Sequence, residues 1–358
     1  MKKKVGLIIQ GPITTIHKRN NKHYDSNQNI KKILRNCPDL ISEVVLVTWK
    51  TERKKICKEI LTNKNLKILF LNDPGVPKLY SKDVSDNRLR QFYSCYNAIK
   101  AFSNKIDIAI KTRTDLYIDL KKSINFFLIE QERKKKLLKS KFEGVICSKR
   151  FYLTMPYWLS DFFYIGNKDI LKKFFYSQIK YKQKRFGQVE VGLPEGDSVL
   201  KFLYFNRKKI KNFNEKNFFP DLPKKLDDSY SAFSEREFYL WQYSIRQYFS
   251  VLPYKITKST IFKGEKYYKY NKYFIHDSNN FLNAEKNYIN LLEKLSYKLN
   301  TFIILKHIFC YINFNYIKRK LENKFKKIIF FNFLIFFNRY NFYYRKILFF
   351  LLKTFKYE

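Results

Sequence analysis

An arginine and an aspartate suited to holding a diphosphate follow the apolar run at residues 106–110, within Lys111-Thr112-Arg113-Thr114-Asp115. Because side chains alternate along an extended chain, Arg113 and Asp115 should lie on the same side of it. A guanidinium can donate two parallel hydrogen bonds to phosphate, and a carboxylate is a hard oxygen ligand for Mg²⁺ or Mn²⁺. Such groups could neutralise a diphosphate as it leaves a sugar. An ion pair at a strand end explains the same two residues equally well.

Two turn sequences follow other apolar runs. Gln10-Gly11-Pro12 comes after the first run, and Asn72-Asp73-Pro74-Gly75 comes after the third. The glycine would let the backbone approach a ligand closely, and Asp73 could accept a hydrogen bond from a ribose or a base. Asn, Asp, Pro and Gly are also ordinary turn residues, so neither sequence is specific alone. The chain has no glycine-rich phosphate loop, which argues against an ATPase or a dehydrogenase.

A helix predicted from about residue 87 could bind an anion at its first turn. Asn87, Arg90 and Gln91 are spaced three and four apart, so they should share one face near the positive end of the helix dipole. Backbone amides and side chains at such a helix terminus suit a phosphate. A solvated first turn with no ligand is the plainer interpretation.

Three carboxylates further along are candidates for proton transfer. Asp161 precedes an aromatic run, and Glu195 and Asp197 lie at the start of a predicted helix. Acidic residues in a first helical turn usually only complement the helix dipole. Transfer of a glycosyl group with inversion, however, needs a base to take the proton of the acceptor hydroxyl.

The strands and helices that must position these residues are predicted to form an α/β fold. Apolar runs of strand length lie at residues 5–9, 44–47, 66–71 and 106–110, and helical spacing lies between them, at residues 27–35, 52–61 and 87–102. This alternation predicts a mostly parallel central sheet with helices on both faces. Ligands bind beyond the carboxyl ends of the strands in such sheets, and the turns and the Arg113–Asp115 segment follow such ends.

The order of these short motifs resembles the WavE-type lipopolysaccharide-synthesis family. The likeness covers residues 5 to 250 approximately and runs through Ile9-Gln10-Gly11-Pro12, Thr48-Trp49, Asn72-Asp73-Pro74-Gly75, Asn87-x-x-Arg90-Gln91, Lys111-x-Arg113-Thr114-Asp115, Ser160-Asp161-Phe162 and Pro194-Glu195. The resemblance implies a GT-A-like fold and a bacterial glycosyltransferase that extends a lipid-linked or core saccharide from a nucleotide-sugar donor.

The resemblance also implies roles for individual residues. Asp115 would be the counterpart of an aspartate that binds a metal or the donor diphosphate, Asp161 would lie near the acceptor, and Glu195 or Asp197 would be the base. The family of folds usually carries Asp-x-Asp, whereas this chain has Arg113-Thr114-Asp115. Dependence on Mg²⁺ or Mn²⁺ is therefore open, and Arg113 could supply part of the positive charge. The predicted donor-binding residues are Gln10, Gly11, Pro12, Asp73, Arg90, Gln91, Arg113 and Asp115.

The charge and the cysteine content restrict the partners and the cellular compartment that we expect for the protein. A formal net charge of +41 over 358 residues would attract nucleic acid, anionic lipid or phosphate-bearing substrates, although AT-rich coding also inflates lysine. No RRM, KH, zinc-finger or helix-turn-helix signature occurs, so we expect no nucleic-acid partner. A basic nucleic-acid-binding protein and a sugar-phosphate nucleotidyltransferase or phosphotransferase are the rival hypotheses. Five scattered cysteines without a Cys-x-x-Cys pair favour reduced thiols in the cytoplasm.

The two ends of the chain carry separate predictions. The opening apolar stretch ends at Gln10-Gly11-Pro12 without a cleavage site, so we interpret it as a first strand rather than a signal peptide. Residues 1–265 should form the catalytic domain. Residues 266–358 should form a basic, aromatic, helical tail whose longest apolar run is too short to cross a bilayer. Such a tail suits peripheral binding to the anionic inner face of the inner membrane, although a helical bundle packed on the catalytic domain would have the same pattern.

Overall fold

The computed structural model describes residues 3–17, 22–75, 87–149, 159–182, 195–209 and 242–266. Its strands, in chain order, are β1 (Val5–Gln10), β2 (Thr14–His17), β3 (Lys22–Asp25), β4 (Ile41–Trp49), β5 (Leu66–Leu71), β6 (Ile108–Arg113), β7 (Leu116–Tyr117), β8 (Ile146–Ser148), β9 (Tyr164–Asn167), β10 (Phe249–Val251), β11 (Ile261–Phe262) and β12 (Glu265–Lys266). Its helices are α1 (Asn27–Arg35), α2 (Lys58–Leu61), α3 (Arg88–Lys100), α4 (Leu120–Leu138), α5 (Lys168–Lys180), α6 (Glu195–Phe205), α7 (residues 242–247) and α8 (Tyr254–Thr257).

A mostly parallel sheet of seven strands forms the centre, in the order β10-β8-β9-β6-β1-β4-β5. Strands β6, β1, β4 and β5 run parallel to one another, so their carboxyl ends meet at one edge. Strand β9 is the exception, because it runs antiparallel to both β6 and β8. The parallel strands at the centre are buried on both faces, which is why their sequences are nearly continuous apolar runs.

Helices cover both faces of the sheet. On one face, Ile8, Val45 and Ala109 pack with apolar residues of α3, α5 and α6. On the other face, Leu7, Ile9, Val44, Leu46, Ile108 and Ile110 pack with residues of α1, α2 and α4. Alternate residues of one strand therefore enter different cores, as the period of two in an extended chain requires.

Two small sheets lie beside the main one. Strands β2 and β3 form an antiparallel hairpin directly after the turn that ends β1. Strands β11 and β12 form a second hairpin, and β11 pairs antiparallel with β7. Two residues separate β7 from the end of β6. Both hairpins thus adjoin the edge where the parallel strands end.

The predicted fold class is confirmed for the described residues, since a mostly parallel sheet carries helices on both faces. The predicted boundary between residues 265 and 266 falls within β12. Nearly all of the predicted basic tail, residues 267–358, lies outside the described residues, so the domain division stays a prediction. Each helix in the described ranges is too short or too polar to span a bilayer.

Candidate functional site

The carboxyl ends of β1 and β6 bring two of the predicted motifs together. Gln10 lies opposite Arg113 in the parallel ladder, and the amide of Thr114 donates to the carbonyl of Gln10 at 3.0 Å. Gln10 is buried, and the same strand end continues into Gly11, whose amide donates to Val47 of β4. The turn after β1 and the Arg113–Asp115 segment are therefore neighbours, as the strand-end rule predicts.

Arg113 and Asp115 form a two-point ion pair. The Nε and Nη2 atoms of Arg113 donate to Oδ1 and Oδ2 of Asp115 at 2.8 and 2.9 Å. Asp115 is 1% exposed, whereas the Arg113 side chain is 24% exposed. The aspartate is thus a buried anchor that fixes the plane of the guanidinium, and part of the arginine still reaches solvent.

Two aromatic rings complete the surroundings of Arg113. Its guanidinium carbon lies 5.0 Å from the ring centre of Phe162 and 5.3 Å from that of Phe262. The two rings stack on each other with 5.0 Å between centres. Cation–π contacts of this kind restrict the guanidinium further.

The β11–β12 hairpin is the element that supplies Phe262. The amide of Lys263 donates to the backbone carbonyl of Asp115 at 2.8 Å, which ties the hairpin turn to the ion pair. Lys263 and Gly264 have φ angles of 51° and 79°, the left-handed conformation that a tight hairpin turn needs. A two-residue strand leaves no periodic signal in the sequence, so this hairpin was not predicted.

The turn after β1 is held by contacts that leave no room for a side chain at Gly11. Gly11 has a φ angle of 139°, and a Cβ atom there would lie 2.8 Å from Oγ1 of Thr114. That hydroxyl donates to the carbonyl of Pro12 at 2.7 Å, and Nδ2 of Asn29 donates to the carbonyl of Thr114 at 2.8 Å. The loops after β1 and β6 are therefore bonded to each other and to α1.

Glu52 fixes the remainder of that turn, and no sequence motif marked it. Its Oε2 atom accepts from the amides of Ile13 and Thr14 at 2.9 and 3.2 Å, and Oε1 accepts from Nζ of Lys55 at 2.6 Å. Burial raises the pKa of Glu52, but the hydrogen bonds from Lys55, Thr14 and Ile13 outweigh burial and leave that pKa below its ordinary value.

Replacing Glu52 with glutamine is expected to lower the free energy of unfolding by about 1–2 kcal/mol at pH 7, since an amide accepts more weakly than a carboxylate. A carboxyl whose pKa is lower in the folded state stabilises above its unfolded pKa, and that stabilisation disappears as pH falls through the folded pKa. The difference between wild type and E52Q should therefore shrink below the ordinary pKa of 4.5. Urea unfolding at pH 7 and pH 3.5 measures both values.

The matched control for E52Q is Glu132→Gln, which changes a glutamate whose side chain is 54% exposed. Exposed ion pairs contribute little, so E132Q should unfold like the wild type at both pH values. Equal stability of E52Q and wild type at pH 7 would contradict the role given to Glu52.

The first turn of α3 contacts both the segment that follows β5 and the segment that carries Asp161. Nε of Arg90 donates to Oδ1 of Asp73 at 2.8 Å, and Nη1 donates to Asn87 at 2.9 Å. Burial raises the pKa of Asp73, but the hydrogen bonds from Arg90 and from the amide of Gly75 lower it overall. The sequence predicted that Arg90 faces a bound anion. In the structure its guanidinium binds Asp73, so a donor-binding role for both stays a prediction.

Gln91 binds the segment that carries Asp161. Its Nε2 atom donates to the backbone carbonyl of Asp161 at 3.1 Å, and Nζ of Lys111 donates to the same carbonyl. Ser148 Oγ donates to the carbonyl of Ser160 at 2.8 Å. Side chains from α3, β6 and β8 therefore hold residues 160–161 beside Phe162, and Asp161 lies close to the Arg113 cluster.

The remaining predicted residues are described only in part. Helix α6 begins at Glu195, as predicted, but the side chains of Glu195 and Asp197 lie outside the described residues. In the described part of the chain, no three His, Cys, Asp or Glu side chains are grouped so that they could hold a metal ion. Both oxygens of Asp115 accept from Arg113, so the described residues do not fit Mg²⁺ or Mn²⁺.

Comparison with known proteins gives one family and several weak structural likenesses. The family model for WavE lipopolysaccharide synthesis matches residues 5–230, well over half of the chain. No curated protein matches the sequence.

Among solved structures, the chain is similar to 4-diphosphocytidyl-2C-methyl-D-erythritol synthase from Anaerococcus prevotii, at 15% identity and a TM-score of 0.33, over 58% of this chain and 85% of that one. A cytidylyltransferase from Leptospira borgpetersenii matches at 13% identity and a TM-score of 0.33, over 83% and 95%. Mannose-1-phosphate geranyltransferase from Thermus thermophilus matches at 10% identity and a TM-score of 0.26, over 63% and 69%. At these TM-scores the structures support no inference about function.

Proposed function

The chain belongs to the WavE lipopolysaccharide synthesis family, and we propose that it is a glycosyltransferase. In this proposal it moves a sugar from a nucleotide-sugar donor to a lipopolysaccharide or another bacterial surface polysaccharide. The observation that carries the proposal is the cluster at one edge of the sheet, where the ends of β1 and β6 place Gln10 and Arg113 opposite each other and Asp115 fixes the guanidinium.

Arg113 is the proposed cation for the donor diphosphate. When the bond between the sugar and the diphosphate breaks, negative charge develops on the leaving phosphate oxygens. A guanidinium that is already oriented stabilises this charge without reorganising during the reaction. Asp115 and the rings of Phe162 and Phe262 supply that orientation, and the 24% exposure of the Arg113 side chain leaves it accessible to a ligand.

Gln10, Gly11 and Pro12 are the proposed backbone wall of the donor site. Thr114 fills the space that a side chain at Gly11 would need, so the glycine lets this turn pack directly against the loop that carries Asp115. Asp73 follows β5, which is two strands from β1 in the sheet, and binds Arg90 of α3; we propose that Asp73 accepts from a ribose or base once the donor is bound. Gln91 acts from α3 through the Asp161 segment.

Asp161 is the proposed base for the acceptor hydroxyl. Its backbone is held by Gln91 and Lys111, and the next residue, Phe162, contacts Arg113. A carboxylate next to the site of the diphosphate can take the hydroxyl proton as the new glycosidic bond forms. Glu195 and Asp197, at the start of α6, are the alternative bases. Replacing each of the three carboxylates in turn by its amide shows which one is the base.

We propose the location of the enzyme in the cell from the composition of its tail. Residues 266–358 combine basic and aromatic residues, a composition that suits attachment to an anionic membrane surface. An enzyme attached there from the cytoplasmic side would meet both a soluble nucleotide sugar and a lipid-linked acceptor. Retention on vesicles that contain anionic phospholipid, and loss of retention at high salt, is the corresponding measurement.

A thermal-shift screen of the full chain tests the donor. UDP-, GDP-, CMP- and dTDP-sugars are added one at a time, with manganese or with EDTA, and a donor at about 100 times its Kd should add about 2.7 kcal/mol of stability. Stabilisation by one nucleotide sugar in EDTA supports the proposal and the role of Arg113. Stabilisation only by a nucleoside triphosphate with a sugar phosphate would favour a nucleotidyltransferase instead. Salt-dependent retention on DNA with no nucleotide response would favour a nucleic-acid-binding protein.

A further inference from the structure

Among the buried lysines of the described part of the protein, Lys111 and Lys134 have different surroundings. Lys111 in β6 and Lys134 in α4 are both 0% exposed. Nζ of Lys134 donates to the backbone carbonyls of Ile245 and Arg246 at 2.5 and 2.8 Å, at the end of α7 and away from the strand ends. Nζ of Lys111 donates to the carbonyl of Asp161, at the predicted site. Burying an ammonium group costs free energy, so each lysine calls for a physical explanation.

The surroundings of Lys111 come from four parts of the site. Cys95 of α3 and the ring of Tyr164 of β9 lie beside it, with the Tyr164 ring centre 5.6 Å from Nζ. Asp161, Arg113 and Asp115 are the charged groups that act on it. Burial is the main reason that the pKa of Lys111 is lowered to about 8; Cys95, Asp161 and Asp115 oppose that shift, and Arg113 adds to it. The ammonium form is therefore still the main form at pH 7.

The contacts of Lys111 converge on one short segment. The carbonyl of Asp161 accepts from Lys111 and also from Gln91, and the preceding carbonyl of Ser160 accepts from Ser148. Because Gln91 already donates to this carbonyl, Lys111 is not needed to avoid an unsatisfied buried acceptor. Its additional contribution is a charged donor, which makes a stronger hydrogen bond and restricts the segment more tightly.

We propose that Lys111 is a positioning residue that fixes the Asp161–Phe162 segment, so that the Asp161 carboxylate meets the acceptor while Phe162 stays on Arg113. This inference rests on the proposed glycosyltransferase activity and on the role given there to Asp161. Lys111 and Arg113 are two residues apart on one strand and so face the same side of the sheet. Two residues on one face of β6 thus serve the two sides of the reaction. Arg113 stabilises the leaving diphosphate, and Lys111 positions the segment that carries the base.

The test compares two buried lysines that differ in location. Lys111→Met and Lys134→Met each remove an ammonium and keep an unbranched apolar side chain of similar length. K111M is expected to lower kcat for transfer by about 10- to 100-fold, as for loss of a charged hydrogen bond that orients a reacting group. The Kd for the nucleotide sugar should stay within about twofold of wild type, since Lys111 does not form the donor site. K134M should change the unfolding midpoint and leave kcat close to wild type.

A pH profile separates positioning from a general loss of structure. In the wild type, kcat/KM should have a falling limb near pH 8, where Lys111 loses its charge, and K111M should lack that limb. Lys111→Gln, which is neutral but still a donor, replaces K111M if the methionine variant does not fold, with the same loss expected.

The two proposals fail in different ways. If kcat of K111M and K111Q equals that of K134M, or if the pH 8 limb persists in both Lys111 variants, Lys111 is not a positioning residue, while donor binding by the wild type still supports the glycosyltransferase. If the wild type binds no nucleotide sugar and transfers none, the glycosyltransferase proposal and this inference are both overturned.

Discussion

Replacing Arg113 with lysine is expected to lower kcat/KM for sugar transfer by about 100- to 1000-fold, the cost of losing one preorganised donor to a developing oxyanion. Lysine keeps the positive charge, but its ammonium cannot bind both oxygens of Asp115 and stay oriented on the two aromatic rings. Much of the loss should fall on kcat, because the diphosphate charge grows as the bond to the sugar breaks. Steady-state kinetics with the donor identified by the screen, together with donor Kd by calorimetry, measures the two components.

Arg133 provides the matched control for this variant. Its Nε and Nη2 atoms bind the two oxygens of Glu130 at 2.7 Å each, so Arg133→Lys disrupts the same kind of pair on α4. R133K should keep wild-type kcat/KM. Equal activity of R113K and R133K would show that Arg113 is only half of a structural ion pair and would remove the cation from the proposed mechanism.

Asp115 is buried, so its role is tested with a substitution that keeps the size of the side chain. A partner for an exposed arginine could be changed to alanine without harm to the fold, but Asp115 is 1% exposed and holds a guanidinium through two hydrogen bonds. Removing one member of a buried pair typically costs about 3–5 kcal/mol. Asp115→Asn keeps the size of the side chain and one acceptor. It is therefore the cleaner test of whether orientation of Arg113, rather than the fold, limits transfer.

The sequence predicted the central sheet because the relevant signal is local. Buried parallel strands read as apolar runs, and α1 was predicted with the bounds that the structure has, Asn27–Arg35. Residues 52–61, predicted as one helix, are instead a 3₁₀ helix at Lys50–Lys55 followed by α2. The interruption is held by Asn27, whose side chain binds the carbonyl of Lys55 and the amide of Cys57. A contact between residues so far apart leaves no mark on local spacing.

The candidate site was predictable only where the strand-end rule applies. That rule brought the turn after β1 next to Arg113 and Asp115, and the structure places them together. It could not show that Gln91 reaches the Asp161 carbonyl, because that contact depends on how α3 packs. Lys111 had one usable signal, a lysine on the same face of an apolar strand as Arg113. Phe262 had none, since its place depends on pairing between β11 and β7.

Replacing Asp161 with asparagine is expected to reduce kcat by about 100- to 10,000-fold, the usual contribution of a general base, while the donor Kd changes little. An amide has the size of the carboxylate and leaves the backbone contacts of Lys111 and Gln91 intact, but it cannot take the proton of the acceptor hydroxyl. Rates of single turnovers with saturating donor measure this step directly.

Asp169→Asn is the control, because Asp169 is an exposed carboxylate in the first turn of α5, eight residues along the chain. It should transfer at the wild-type rate. If D161N also does so while Glu195→Gln or Asp197→Asn loses activity, the base lies on α6, and the anchored segment at residues 160–162 serves the acceptor in another way. If D161N alone loses activity, Asp161 is the base, and the base and the cation are linked through two adjacent residues. Phe162 contacts Arg113, and Lys111 binds the backbone carbonyl of Asp161. Strand β6 then governs both the departing diphosphate and the attacking hydroxyl.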